Sequence, residues 1–385
     1  MYPKVSDFLN DVFGTNLCLP IQSFGFFVAI AFLAAYYVTQ QELKRKQLQG
    51  FFTTQKVQVL SHAPVKPLDI LINFVVLAAI GYKLGLAFED YDIFCDNPQE
   101  AILSSNGSVL GAFLLGAIGA AYKFYEFKKF ENVEPQSVTE NHGLAEDSGT
   151  LFTIAFVAGI LGAKLFHNLE FWDKFIKDPV GSMLSFDGLT FYGGLLCAAA
   201  AMIYYLHKKK HNLLAAADAI TPTVILAYGI GRLGCHFAGD GDWGIENLKP
   251  KPFSWLPDWA WAYKYPHNVL SEGVKIQGCV GEYCNELPNP VYPTAVYEAI
   301  MGIAIFIFLW LIRLRLPFMG QLTGIYLILN GLERFLIEIV RVNDRYAFQM
   351  SQAQFIATAL MVFGAVLLYL STFVWKKDNF AIIYK

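Results

Sequence analysis

Charge is scarce in this chain: only 16% of its 385 residues are Asp, Glu, Lys or Arg, against 55% that are hydrophobic. With a mean hydropathy of +0.40, that excludes an ordinary soluble two-domain protein, in which charged residues make up about a quarter of the chain. Metal-ligand patterns are missing as well. The six cysteines and seven histidines contain no H-E-x-x-H, and the one close cysteine pair, Cys279 and Cys284, leaves a disulfide open without defining a metal site. His207 and His211 flank Lys208, Lys209 and Lys210 and read as a solvated face rather than a ligand pair. No metal, soluble cofactor or nucleic-acid partner is expected. A cleavable signal peptide is missing too: the first apolar run is long and lacks a small-residue cleavage site, so it is expected to anchor the chain.

Long apolar runs are abundant. Crossing a bilayer takes about 20 mostly apolar residues, and roughly nine stretches come close: 21–38, 68–88, 109–126, 150–169, 189–206, 214–237, 297–313, 319–340 and 353–375. The expected fold is therefore an all-α polytopic membrane protein. Basic residues gather after every second stretch, at Lys44, Arg45 and Lys46, at Lys128 and Lys129, at Lys208 to Lys210, at Arg313 and Arg315, and at Lys376 and Lys377. Under the positive-inside rule those connections are cytoplasmic, the N-terminus outside and the C-terminus inside. Residues 1–238 then hold the first six spans, 239–296 an outward head insertion, and 297–385 the last three spans. The head's tryptophans (Trp243, Trp255, Trp259, Trp261) suit a membrane interface, and 130–148 reads as a flexible loop.

Shifting the sequence by 81 positions lays IGYKLGLAFEDYDIFCDNPQEAILSSNG (Ile80–Gly107) on LGAKLFHNLEFWDKFIKDPVGSMLSFDG (Leu161–Gly188) without a gap. Gly81 matches Gly162, Lys83 matches Lys164, and Glu89 matches Glu170, followed by Asp92 on Asp173, Phe94 on Phe175, Pro98 on Pro179, Leu103 on Leu184, Ser104 on Ser185 and Gly107 on Gly188. Such register implies a tandem duplication of one helical hairpin, near 68–126 and 150–206. The copies then diverge, into SVLGAFLL in the first and LTFYGGLL in the second, which marks the first as scaffold.

One stretch resists the apolar reading. YGIGRLGCHFAGDGDWG (Tyr228–Gly244) closes a long apolar run yet carries Arg232 near its end. Gly229, Gly231 and Gly234 satisfy G-x-G-x-x-G, but a dinucleotide fingerprint follows a strand and opens a helix; inside a span, small residues let another helix or a lipid approach. An arginine within a span costs at least about 2.5 kcal/mol on insertion scales and is a functional candidate unless it snorkels to the interface. Arg232 has company. GLERFLIEIVRVNDRY puts Arg334, Glu338 and Arg341 on one helical face. An ion pair between Arg334 and Glu338 accounts for two of those charges and leaves a cation over. In the derived topology Phe24 and Gly25, Tyr192 and Gly193, and Tyr297 and Glu298 begin spans at the same outer depth. Guanidinium forks match phosphate geometry, and a phospholipid headgroup is the phosphate available there. Buried cations partly balanced by Glu338 and Asp240 point to a poised site rather than passive lipid contact.

GRLGC-x-x-A-G-D-x-D-W-G resembles the signature of the prolipoprotein diacylglyceryl transferase family. The resemblance extends to FYGGLL, to YPTAVYE (Tyr292–Glu298) and to R-x-x-x-E-x-x-R at Arg334, Glu338 and Arg341. It covers the first span and residues from about 150 onward, leaving the first hairpin copy as an addition to the family's usual seven spans. The resemblance implies transfer of the diacylglyceryl group of phosphatidylglycerol to the lipobox cysteine of prelipoprotein signal peptides in the bacterial inner membrane, without a cofactor. By the same resemblance Arg232, Arg334, Glu338, Asp240 and Tyr192 would be catalytic. Arg341, Gly193, Gly194, Gly234, Cys235, Tyr292, Tyr297, Glu298, Phe24 and Gly25 would bind substrate. Three positions depart from the family pattern: Tyr192 and Tyr292 replace histidines, and Cys235 replaces an asparagine. A phenol is a poor base at neutral pH, so the acceptor of the thiol proton stays open between Asp240 and water. The competing reading is a lipid or solute transporter with an arginine-lined cavity, although the two hairpin copies share one orientation.

Overall fold

The computed structural model describes residues 1–61, 66–91, 95, 102, 104–130, 136–184, 190–343 and 349–375. Lys376 and Lys377, and the repeat positions Asp92, Phe94, Pro98, Leu103, Ser185 and Gly188, lie outside them. In chain order the elements are α1 (Val5–Phe13), α2 (Ser23–Leu48), β1 (Gln55–Ser61), α3 (Pro67–Glu89), α4 (Val109–Phe130), β2 (Gln136–His142) and α5 (Ser148–Glu170). Two six-residue helices follow (Trp172–Lys177, Pro179–Leu184), then α6 (Phe191–Lys208), α7 (Leu213–Ala238), β3 (Val274–Lys275), β4 (Asn285–Glu286), α8 (Thr294–Ile312), α9 (Gln321–Ile337) and α10 (Gln352–Tyr369), which continues as a π-turn over Leu370–Val374.

Each expected apolar stretch coincides with one of α2 to α10, so the chain is a multi-pass helical membrane protein. Among the described residues, 7 helices are long and apolar enough to cross a membrane: α2, α3, α4, α5, α7, α8 and the α10 segment. The expected count of nine is therefore not carried by length and composition alone. α9 has 17 residues, about 25 Å at ~1.5 Å per residue against a hydrocarbon core of about 30 Å, and it holds Glu333 and Arg334. α6 has 18 residues and ends on His207 and Lys208.

The helices sort into two compact units. One comprises residues 1–8, 21–54 and 143–385; the other comprises 9–20 and 55–142. In the first, α7 is the central helix, packed against α2, α8 and α9, with α10 on α9 and α6 on α5. Asn212 caps its start by accepting from Ala215 N at 3.0 Å, and Gly239, at φ 66°, ends it; that left-handed conformation is one glycine adopts without strain. Small residues set the approach of its neighbours: a Cβ on Gly234 would lie 2.9 Å from Phe27 Cβ of α2, and one on Gly302 of α8 would lie 3.2 Å from Gly229 Cα.

Where α7 begins, a buried apolar cluster of Leu43, Leu144, Leu151, Ala215, Ala216 and Ala219 surrounds a satisfied charged network. Asp218 accepts from Gly320 N and Thr323 N at 2.9 Å each and from Thr323 Oγ1 at 2.7 Å, and pairs with Lys46 at 3.4 Å. It supplies the orphan N–H groups at the start of α9 with an anion. Glu42 pairs with Arg45 at 2.7 Å and Arg313 at 2.5 Å. Between α7 and α8 lies the head, whose core is Tyr265, Leu287 and Val291 with Trp243 and Tyr263 against it. Cys279 and Cys284 form a disulfide there, resolving the pair left open by sequence.

In the second unit β1 and β2 form an antiparallel ribbon, Gln55↔His142 to Ser61↔Gln136, that brackets the α3–α4 hairpin. Residues 136–142, expected to be loop, are thus a strand; the partner that satisfies their backbone lies far away in sequence, so a local reading could not supply it. A Cys18–Cys95 disulfide, hidden by a separation of 77 residues, also belongs to this unit.

The internal geometry of the two hairpins supports the duplication. Tyr82 O accepts from Ser108 N at 2.8 Å in the first, and Ala163 O from Thr190 N at 3.2 Å in the second. Glu89 accepts from the Ser108 hydroxyl; Glu170 accepts from Thr190 Oγ1 at 3.4 Å. Lys83 Nζ donates to Ser104 O at 2.5 Å, and Lys164 Nζ to Ser182 O at 3.3 Å. A Cβ on Gly81 would meet Gly111 O and Leu115 Cβ; one on Gly162 would meet Gly193 O and Cys197 Cβ. The register thus moves from 81 to 82 beyond the matched segment (Ser108 on Thr190, Gly111 on Gly193, Leu115 on Cys197), so one residue has been gained or lost where the second helix of the hairpin begins.

Gly162→Val is expected to destabilise the α5–α6 hairpin by about 1–3 kcal/mol through overpacking, because its Cβ would sit 2.4 Å from Cys197 Cβ and 2.6 Å from Gly193 O. Gly231→Ala, with nothing within 4 Å, serves as the control; the measurement is the thermal unfolding midpoint in detergent.

Candidate functional site: an arginine centre on one shared carboxylate

The far end of α7 carries Arg232, 14 residues beyond Asp218 and so about 21 Å along the helix axis. Glu298, the fifth residue of α8, is 0% exposed and is the hub of the site. Its Oε1 lies 3.1 Å from Arg341 Nη1 and 3.2 Å from Arg334 Nη1. Its Oε2 lies 3.1 Å from Arg232 Nε but outside hydrogen-bond geometry. Glu338, at the C-cap of α9, pairs one turn back with Arg334 at 3.2 Å and accepts from Asn343 Nδ2. Asp242 bridges the remaining two cations, Oδ2 to Arg232 Nη1 and Oδ1 to Arg341 Nη2, the latter at 2.6 Å. Arg232 also lies over the Tyr228 ring, 5.1 Å from its centroid, and Tyr228 donates to Glu333 at 3.4 Å.

Local backbone chemistry places these groups. After Gly239 the chain turns through Gly241 at φ 96°, and Thr294 Oγ1 holds the Asp242 carbonyl at 2.7 Å. Gly244 then runs against the segment after α9, with Ile245 N donating to Val340 O at 2.9 Å and Gly244 N to Tyr292 O at 2.8 Å. A Cβ on Gly244 would lie 2.4 Å from Val340 O, so glycine is what allows the loop to bring Asp242 beside Arg341.

The expected grouping of Arg232, Glu298, Arg334, Glu338 and Arg341 is present, with Phe24 of α2 reaching Gly234 next to it. Two expectations change. Arg341 is not a leftover cation, because Glu298 and Asp242 both pair with it. The loop acid that balances the arginines is Asp242 rather than Asp240. Asp240 faces Cys235 instead: their ligand atoms and those of Asp242 lie within 4.8 Å of one another, and Asp240 and the Cys235 thiol are hydrogen-bonded. Both acids lie outside the helix, and their environments push them apart. Burial raises Asp240 above the usual carboxylate range; burial also acts on Asp242, but the attraction of Arg232 and Arg341 outweighs it and holds that carboxyl low.

Other expected residues sit around this centre or elsewhere. Tyr292 packs edge-on against Trp261 at 5.7 Å within the head, and Tyr297 donates to Ala260 O at 3.1 Å, which ties the head to α8. Gly25 has nothing within 4 Å of a notional Cβ. Tyr192 is exposed, and the close neighbours of Gly193 and Gly194 are Gly159, Gly162, Ala163 and Phe166 of α5. Sequence reasoning assigned no role to Asp242, Glu333 or Tyr228; in Asp240-Gly241-Asp242 the two acids are equivalent until the turn is built.

A bundle of apolar helices that gathers three partly buried arginines at one end defines a multi-pass membrane protein with a charged centre. The family comparison makes this specific: the model for prolipoprotein diacylglyceryl transferase matches residues 132–370, and the chain belongs to that family. Similar proteins named phosphatidylglycerol–prolipoprotein diacylglyceryl transferase include one from Dehalococcoides mccartyi, 29% identical over 55% of this chain and 72% of the relative. One from Mannheimia succiniciproducens is 28% identical over 57% and 73%, and one from Leptospira interrogans 23% identical over 69% and 89%.

Glu298→Gln is expected to lower the unfolding free energy, by less than the about 3–5 kcal/mol of a fully buried pair, since the guanidiniums it deprives of their common anion are partly exposed and keep Asp242 and Glu338; denaturant or thermal unfolding in detergent checks this. Asp240→Asn is expected to raise the unfolding midpoint at pH 7. A carboxyl with a raised native pKa loses stability as pH climbs through its ordinary value of about 3.9 toward the native one, so the gain should vanish below that pH.

Proposed function

We propose that this chain transfers the diacylglyceryl group of phosphatidylglycerol to the lipobox cysteine thiol of a prelipoprotein. The thiolate sulfur forms a bond to the glyceryl carbon, the bond from that carbon to the phosphate oxygen breaks, and glycerol phosphate leaves with the electron pair. The nucleophile belongs to the substrate, so the enzyme must hold the phosphate, stabilise the departing charge and help the thiol lose its proton. The observation that carries this reading is the sharing of Glu298 by Arg232, Arg334 and Arg341, on a chain of this family.

Arg232 and Arg334 hold the phosphate and neutralise the leaving group; cations fixed in a site of low dielectric supply several kcal/mol to such a step. Glu338 orients Arg334, and Arg341 adds supporting charge. Asp240, raised by burial, is better matched than an ordinary carboxylate to accept the thiol proton. Tyr192 hydrogen-bonds substrate from the α6 entry, with Gly193 and Gly194 beside it. Phe24, Gly25, Gly234, Cys235, Tyr292, Tyr297 and Glu298 line the path of the lipid and the peptide. The basic clusters at the opposite end of α2, α6 and α8 support an inner-membrane orientation with the N-terminus outside, the C-terminus cytoplasmic and the arginine centre toward the outer leaflet.

Full-length protein in detergent, supplied with phosphatidylglycerol and a lipobox peptide, is expected to release glycerol phosphate and add a diacylglyceryl mass to the cysteine. Arg232→Ala and Arg334→Ala should each slow this by at least about 10²-fold while eluting as folded protein. Full activity in both variants would reject the reading.

A further inference from the structure

The arginine centre is already electrically matched. Its three guanidiniums face three directly paired carboxylates, Glu298, Glu338 and Asp242. A phosphodiester anion cannot simply be added, because one uncompensated negative charge in a largely buried site is costly. One carboxylate has to withdraw. Glu298 and Glu338 are fixed by helix backbone, and their side chains are 0% and 1% exposed. Asp242 differs on both counts: its side chain is 30% exposed, and it stands on a loop between Gly241 and Trp243. Its carbonyl is pinned by Thr294, so rotation about the Cα–Cβ bond can free the carboxylate without moving the loop.

Its contacts also have the form a phosphate would use. Two oxygens of one planar anion each take a guanidinium N–H from a different element, Arg232 of α7 and Arg341 beyond α9, which is the bridging pattern that guanidinium forks offer to phosphate oxygens. We propose that Asp242 is a resident stand-in for the headgroup phosphate: without substrate it takes up Arg232, the guanidinium that the phosphate shares with Arg334, together with the supporting Arg341, and it is displaced when substrate binds. The identity of the displaced-for anion rests on the transferase reading. The displacement itself rests on the geometry. Asp242 thereby keeps the arginines aligned and lowers affinity for any anion by the fraction of time it occupies the position, which disfavours weakly held anions relative to a lipid whose acyl chains add their own binding energy.

The test is glycerol phosphate binding to the full-length detergent-solubilised protein by calorimetry, run beside the KM for phosphatidylglycerol. Asp242→Asn is expected to bind glycerol phosphate about tenfold tighter than wild type if the carboxylate occupies the position about nine-tenths of the time, with a fall in KM. Asp242→Glu, which keeps the charge, should bind no tighter than wild type. Glu338→Gln removes the same charge from a carboxylate that does not withdraw, so any tightening it gives through charge alone should be smaller than that of Asp242→Asn. Asp242→Ser carries the same arm if the asparagine variant fails to unfold cooperatively. Equal or weaker binding by the Asp242 variants, or equal tightening in Glu338→Gln, overturns the proposal. A wild-type protein that binds glycerol phosphate as described but transfers nothing would leave the displacement intact and remove the transferase reading; an active wild type with no tightening in Asp242→Asn would do the reverse.

Discussion

The arrangement of the helix ends at the arginine centre depends on one carboxylate. Glu298 has no exposure and three guanidiniums around it. Three like charges this close repel strongly where the dielectric is low, so without an anion at their centre the ends of α7 and α9 would not converge on the start of α8. The same interaction makes the site: groups that hold the bundle together here are the groups that would meet a phosphate. Stability and chemistry are therefore coupled at this position, and substitutions at the hub act on both.

The head follows from that constraint. The loop leaving α7 must bring Asp242 back to Arg232 and across to Arg341 within a few residues, which it does by using the positive φ of Gly239 and Gly241 and the bare Cα of Gly244. Beyond it, Tyr297 seats the head on α8. The opposite end of the bundle solves a different problem. There Asp218, Lys46, Glu42 and Arg313 are satisfied among themselves and by backbone N–H groups, so that network reads as structural.

The two hairpins whose sequences match share some contacts and differ in others. Both hairpins have the lysine that holds carbonyls of the connection between their helices, the glutamate that receives the next helix's hydroxyl, and the glycine contact that brings the two helices together. These are fold-forming contacts. The tyrosine and paired glycines at 192–194 appear only in the second copy, where Leu110, Gly111 and Ala112 stand in the first. The polar β-ribbon and the Cys18–Cys95 bond are additions confined to the first copy's own unit.

Sequence alone determined the membrane class, the position of each long helix, the repeat, and the cluster of Arg232, Glu298, Arg334, Glu338 and Arg341, because apolar run length, helical periodicity and the cost of a charge within a span are local properties. Tertiary structure decided the rest, through contacts between residues far apart in the chain. It chose Asp242 over Asp240 as the arginines' partner, since only a built turn distinguishes two acids separated by one glycine. It gave Arg341 its two anions, turned an expected loop into a strand, and joined Cys18 to Cys95. It also left α9 shorter and more polar than a free-standing crossing requires, and packing against the neighbouring helices makes this tolerable by burying Glu333, which the segment alone would expose to lipid.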